Sequence, residues 1–247
     1  MVVTLHDLIA LKRPGERQRF GMRMKLHLLA AQRATRVIVP TTVVADDAMH
    51  TLGIASDRLV VVPEAAATVF YPRSDDEVAA VHKKYGLPED YLLWVGSLKT
   101  PEPHKRVVAL ARAKQTLPLV LVGRDSPWAR ELPGVMLTGE VPDEHLAAIY
   151  TGAKALVMPS ADEGFGLTPI EALACGTPVA ACDVPALREV LDGHAELWPC
   201  DDLDGLLASA EAASRPAPTP LRWSWMDAAQ ATWNVYGDAS RAPALVG

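Results

Sequence analysis

The stretch SADEGFGLTPIEALACGTPVA, residues 160 to 180, sets Glu163 and Glu171 eight positions apart, with Gly164, Phe165 and Gly166 directly after the first and an apolar, small-residue helix carrying the second. Glycines let the backbone come close to a ligand and expose its amides. A helix beginning near Leu167 adds an N-terminus with free N–H groups, which favours an anion. Carboxylates repel phosphate but accept hydrogen bonds well from hydroxyls. A ligand that meets a carboxylate at either end and amides in between is ordered sugar, phosphate, sugar, as a nucleotide sugar is. The same spacing also suits a solvated loop acid at Glu163 and a partner for its own helix dipole at Glu171, and position alone does not choose between them.

Such residues act only where other elements hold them. Short apolar runs at residues 2–5, 36–39, 59–62, 91–96, 117–122, 135–139, 155–158, 178–181 and 196–198 read as strands. Several are apolar throughout rather than alternating, as strands buried on both faces are. Amphipathic stretches at 17–34, 42–52, 75–85, 105–115, 143–151 and 203–213 read as helices. This βαβ rhythm predicts parallel sheets covered by helices. The proline and acid cluster of VFYPRSDDE, residues 69–77, marks a boundary. Residues 1–72 are then a partial Rossmann-like domain, 73–222 a complete one, and 223–247 a terminal helix and tail that follow the proline-rich RPAPTPLRW. Ligands of doubly wound sheets bind beyond the carboxyl ends of strands, at the switch in strand order. The segments that follow strands therefore matter most, at residues 6–7, 96–99, 123–126, 139–146 and 159–166.

With 247 residues, 49% hydrophobic and 22% charged, the chain suffices for large cores in one or two domains. It opens on the strand-like VVTLHD without a charged leader, and no apolar run approaches the ~20 residues of a membrane span, so a soluble, cytoplasmic protein is expected. Cys175, Cys182 and Cys200, an odd number in apolar surroundings, fit reduced thiols. With His194 nearby they still lack the C-x2-C pair of a zinc site. A net charge of -6 argues against a nucleic-acid partner. Between Lys12 and Arg36, however, eight basic residues face the single acid Glu16, giving that segment +7 and leaving about -13 elsewhere. Such a segment permits peripheral contact with an anionic membrane surface. Phe20, Met24 and Leu28 fall on one side of its helix and Met22, Leu26 and Leu29 nearly opposite, which favours a packed helix with a basic rim over a membrane-surface helix.

PSADEGFGLTPIEALACGTPVAACDVPALREV resembles the signature of the GT4 family of retaining glycosyltransferases, whose E-x7-E motif runs here from Glu163 to Glu171. WVGSL, PHKR, LVLVGRD, VMLTGEVPDEHLAAIYTGAKALVMPS and the terminal WSWMDAAQATWNVY agree in the same order. The similarity covers nearly the whole chain and is strongest from Tyr91 to Val190. It implies a GT-B architecture, two facing Rossmann-like domains with the donor bound mainly by the second. The expected fold class is therefore α/β and GT-B-like, one complete doubly wound parallel sheet plus a partial N-terminal domain. The implied reaction moves a hexosyl group from a nucleoside-diphosphate sugar to a carbohydrate or lipid-linked acceptor, with retention and without a metal or other cofactor.

Carried over by position, the resemblance places Glu163 on the hydroxyls of the transferred sugar and Glu171 on those of the ribose, with the amides of Gly164, Phe165, Gly166, Leu167 and Thr168 facing the diphosphate. Lys105 of PHKR matches the family's diphosphate lysine. The departing diphosphate gains negative charge in the transition state, and a fixed cation with a helix N-terminus meets that charge. Gly96 and Ser97 end the WVGSL strand; relatives often carry an arginine where Ser97 stands, so that either Lys99 or Arg106 compensates or the diphosphate is held less tightly. His6, closing VVTLHD, resembles the histidine near the donor sugar, where it either orients that sugar or shapes the acceptor pocket. Residues 139–141, ending at Val141, offer backbone groups to the base. In VVPEAAATVF, Glu64 and Ala65 stand where relatives commonly have Asn-Gly.

DDLDG at residues 201–205 contains a D-x-D, the mark of metal-dependent transferases of another fold. It follows a short strand and opens a helix, so Asp201 or Asp202 reads as an N-cap and no metal is expected. The G-x-G-x-x-G of nicotinamide enzymes is missing from both GSLKTP and GRDSPW. The rival reading is a non-catalytic nucleotide-sugar-binding subunit that needs a partner chain. A half sheet made by the first three strands leaves an edge and apolar faces open, so self-association or a partner chain there is expected.

Overall fold

A computed structural model describes residues 1–12, 21–215 and 223–241. The expected helix start at 17–20, Phe20 among it, and the proline-rich segment at 216–222 lie outside the described residues. The chain divides into two compact units: Met1–Ala65 with Glu163–Phe165 and Trp223–Gly247, and Ala66–Asp162 with Gly166–Arg222.

In the first unit β1 (Val2–Thr4), β2 (Arg36–Val39) and β3 (Leu59–Val61) form a parallel sheet in that order. Successive side chains of a strand point to opposite faces. Accordingly Val37 and Val39 pack with Ala31 of α2 (Met22–Arg33) and with Val44 and Ala48 of α3 (Thr42–Leu52), after the short α1 (Ile9–Lys12). Ile38 turns the other way, onto Val62 and onto Ala228 and Val235 of the C-terminal helix Trp225–Arg241. That corrects the expectation of open apolar faces: the chain's own last helix covers the second face, a pairing that its distance in sequence conceals. On α2, Leu28 and Ala31 pack against the core, while Met22, Met24, Leu26 and Leu29 are exposed.

The second unit is a six-stranded, all-parallel sheet of β4 (Leu92–Val95), β5 (Leu119–Val122), β6 (Val135–Gly139), β7 (Ala155–Met158), β8 (Val179–Cys182) and β9 (Glu196–Trp198). The spatial order β6-β5-β4-β7-β8-β9 reverses between β4 and β7, which puts the ligand-binding switch point of a doubly wound sheet there. Leu92, Leu93, Val120, Leu121, Leu156 and Val157 are fully buried, so the central strands read as unbroken apolar runs. α4 (Asp75–Tyr85) starts with a capping box in which Ser74 and Glu77 satisfy each other's backbone N–H groups. The helix expected at 105–115 is instead a 3-10 turn, Pro103–Lys105, followed by α5 (Val107–Arg112), with the break at Arg106, whose φ is 52°. The order continues with α6 (Pro127–Arg130), α7 (Asp143–Gly152), α8 (Leu167–Ala174), α9 (Pro185–Leu191) and α10 (Leu203–Ala212), leaving Trp225–Arg241 as α11. Asp202 caps α10 as expected, accepting from the Gly205 amide at 2.8 Å. Among the described residues no helix is long and apolar enough to cross a membrane.

Candidate functional site

In the second unit the chain leaves β4 through Gly96 and Ser97. A Cβ on Gly123 would lie 1.8 Å from the Gly96 carbonyl oxygen, so the loops after β4 and β5 run in backbone contact. Ser97 is exposed. The 3-10 turn that follows carries Lys105, whose Nζ lies 2.8 Å from Glu102 Oε2. The turn is fixed from the far side of the switch point, because His104 O accepts the Ala161 amide at 2.8 Å. Lys105 is thereby tied to the end of β7, immediately before the loop that enters α8. A cavity of about 410 Å³ opens beside it, lined by Ser97, Pro101, Glu102, Lys105, Val107 and Trp128. Arg106 does not stand in for the missing arginine at position 97: its guanidinium bonds to Cys200 O and reaches Cys182 Sγ. Lys99 is exposed.

Gly166 caps α8 with φ 98°, and a Cβ there would lie 2.7 Å from Leu187 Cδ2. Conformation and space therefore both require glycine at this turn. Beyond it Leu167 is exposed, while the Thr168 hydroxyl donates to Met158 Sδ at 3.7 Å. On the next turn of α8, Glu171 Oε2 accepts the hydroxyl of Tyr150, a buried residue of α7, at 3.1 Å. Burial pushes the Glu171 carboxyl up to about 7, against the opposing effect of that hydrogen bond. Tyr150 escaped the sequence reading; its only signal is that a buried phenol needs a partner. Val141, partly buried, lies just past Gly139, where β6 ends with φ 75°.

Glu163, Gly164 and Phe165 belong with the first unit. A Cβ on Gly164 would lie 2.3 Å from His6 O and 2.9 Å from Asp7 Cβ, so this glycine permits the loop to press on the main chain after β1. The buried Thr41 hydroxyl donates to Gly164 O at 2.9 Å, and the Phe165 ring packs on Trp223 with centroids 5.3 Å apart. Glu163 is partly buried. His6 is exposed and holds Glu64 Oε1 with its Nδ1 at 2.7 Å, a bond that raises the imidazole above its ordinary value. Glu64, noted in the sequence only as a departure, is thus the partner of His6. A cavity of about 430 Å³ in the same unit is lined by His6, Asp7, Leu11, Met24, His27 and Leu28. The expected residues therefore form two groups: His6, Glu163, Gly164 and Phe165 in the first unit, and Gly96, Ser97, Lys105, Val141, Gly166, Leu167, Thr168 and Glu171 in the second.

Residues 89–214 match the family model described as glycosyl transferases group 1. The O-antigen chain mannosyltransferase B of Escherichia coli is 29% identical over 95% of this chain and 69% of its own length. A D-inositol 3-phosphate glycosyltransferase of Xylanimonas cellulosilytica is 32% identical over 83% of this chain and 57% of its own. The serotype-specific mannosyltransferase WbdA of Escherichia coli is matched over only 25% of its length. Among solved structures, WaaG, a glycosyltransferase involved in lipopolysaccharide biosynthesis, superposes with a TM-score of 0.67 at 18% identity, over 98% of this chain and 71% of that one. Anabaena Alr3699/HepE in complex with UDP and glucose gives 0.66 at 19% identity, over 97% and 66%. These structures share the two-domain, Rossmann-like GT-B fold with this chain.

Proposed function

Because the chain belongs to the group 1 glycosyl transferases, we propose that it moves a hexosyl group from a nucleoside-diphosphate sugar to an acceptor hydroxyl with retention of configuration. One observation carries the reading: at the switch point of the six-stranded sheet, a glycine-capped helix start and a tethered lysine flank the same pair of strands, β4 and β7. Free amides at the start of α8 and the Lys105 ammonium are the groups that meet a diphosphate as charge grows on it. Glu171, steadied by Tyr150, accepts the ribose hydroxyls, and Glu163 those of the transferred sugar. The Gly166 turn keeps the backbone near the diphosphate without a side chain in the way. His6, held by Glu64, is assigned to orienting the sugar or shaping the acceptor pocket; retention places no demand for a dedicated base on the acceptor. Residues 73–222 make up the donor side in this reading and residues 1–72 the acceptor side.

Relatives named as mannosyl- and glycosyltransferases make hexoses the first donors to test. Titration calorimetry with UDP, GDP and dTDP hexoses on the full chain is expected to give saturable heat with at least one. No heat from any member of the panel overturns the site assignment.

A further inference from the structure

Glu102 opens the 3-10 turn that presents Lys105, and its carbonyl oxygen accepts the Lys105 amide at 3.0 Å. Its side chain makes no cap bond to that turn. The carboxylate instead reaches forward, with Oε2 lying 2.8 Å from Lys105 Nζ and 3.6 Å from His104 Nε2. Both side chains of the lysine pair keep part of their surface in water, 24% for Lys105 and 32% for Glu102, and both residues line the cavity of about 410 Å³. An ion pair this exposed is easily broken. His104 is the fixed member of the three, being buried and held through its carbonyl oxygen by the Ala161 amide at 2.8 Å. Arg106 spends its guanidinium on Cys200 O, and position 97 is a serine. How this turn meets an anion therefore depends on whether the Lys105 ammonium is already engaged.

We propose that Glu102 is a positioning residue that stands in for the diphosphate: its carboxylate holds the Lys105 ammonium until a diphosphate takes it, and so sets the affinity of the site. The proposal rests on the reading of Lys105 given above. Carboxylate and diphosphate are both anions that accept from the same N–H donors, so one ammonium serves both only by setting like charges side by side. The diphosphate, with more charge and more acceptor oxygens, takes the ammonium. His104 Nε2, already near Glu102 Oε2, is the second seat for the displaced carboxylate. Part of the interaction with the ligand is thereby consumed in moving Glu102. Holding the long lysine side chain in place works the other way, since less rotamer freedom is then lost on binding. A full like charge beside the ligand, at the wall of a partly enclosed cavity, is the larger of the two effects.

The test measures binding of inorganic diphosphate to the full chain by calorimetry. Glu102→Gln is expected to bind about tenfold tighter than the parent, and Lys105→Met about tenfold weaker. In the Lys105→Met background, Glu102→Gln is expected to change affinity by no more than about twofold, because the contested ammonium is gone. A residue that only shaped the turn would lose affinity on substitution rather than gain it. Unchanged or weaker binding by Glu102→Gln, beside a loss in Lys105→Met, overturns the stand-in and leaves the reading of Lys105 intact. An equal gain in both backgrounds overturns competition for the ammonium, since Glu102 would then repel the ligand directly. A Lys105→Met chain that binds as the parent does overturns the reading of Lys105 and the proposal with it, as does the absence of heat from both the parent and Glu102→Gln.

Discussion

Glu171 carries two opposed influences on its charge. Burial raises its carboxyl from 4.5 to about 7, while the Tyr150 hydroxyl favours the ionised form. Ribose hydroxyls are donors, so a bound nucleotide also prefers the carboxylate. Donor affinity is therefore expected to rise between about pH 6 and about pH 8, and calorimetry on Glu171→Gln should show that rise gone. Glu171→Ala is expected to weaken donor binding by about 1–3 kcal/mol at the higher pH. Stability runs in the opposite direction. A carboxyl whose folded value is raised contributes fully below 4.5 and loses that contribution as pH climbs through about 7. Glu171→Gln should accordingly melt above the parent at about pH 8, with the gap narrowing toward about pH 5. A parent whose donor affinity is flat across this range would remove Glu171 from the ribose.

Thr41 shows how one element positions another. Its hydroxyl accepts the Val44 amide at 3.2 Å as the N-cap of α3 and donates to Gly164 O at 2.9 Å. Ser74 caps α4 in a similar way but bonds only within its own capping box. Thr41→Ala and Ser74→Ala should each cost about 0.5–2 kcal/mol in thermal melts. Only Thr41→Ala is expected also to slow sugar transfer, because it frees the loop that carries Glu163. Equal transfer by both variants would make the Thr41–Gly164 bond incidental to function. The same contrast explains what could be read from sequence. Apolar runs such as Val37–Val39 and Leu119–Val122 announce their strands, and the amphipathic stretch at 75–85 announces its helix, because those signals are local in the chain. Helix α9 went unread because seven residues opened by Pro185 hold too few turns for a periodic pattern. The break in the helix expected at 105–115 comes from Arg106, whose anchor Cys200 lies 94 positions away. Tyr150–Glu171 and His6–Glu64 are likewise separated by 21 and 58 positions. Neither period nor propensity encodes a pairing made by tertiary packing.

At the scale of the whole chain, the two units carry separate cores of unequal size. The first gathers around Val37, Val39, Val44 and Ala48 on one face and Ile38, Val62, Ala228 and Val235 on the other, over only three strands. The second buries six parallel strands, with Trp94, Tyr91 and Tyr150 among its largest enclosed side chains. The fraction of surface buried grows with the size of a core, so the smaller unit is expected to unfold first. Scanning calorimetry should then resolve two transitions rather than one. A nucleoside diphosphate held by the loops of the second unit stabilises that unit by mass action, about 2.7 kcal/mol at a hundredfold excess over Kd, and should raise the upper transition while leaving the lower one in place. The lower transition has its own lever. Met22 at 72%, Leu26 at 57%, Met226 at 80% and Trp233 at 73% exposure lie on α2 and α11 of the first unit, beside strands β1 and β3 whose outer edges have no partner among the described residues. If copies of the chain cover these surfaces, as expected, the lower transition climbs with protein concentration. Trp233→Glu should abolish that climb and return a monomer in light scattering. Pelleting of the chain on anionic vesicles at low salt and its release at high salt, with a lower transition that ignores protein concentration, would assign the surface to lipid instead. A single transition that the nucleotide shifts as a whole would show that the two cores unfold as one.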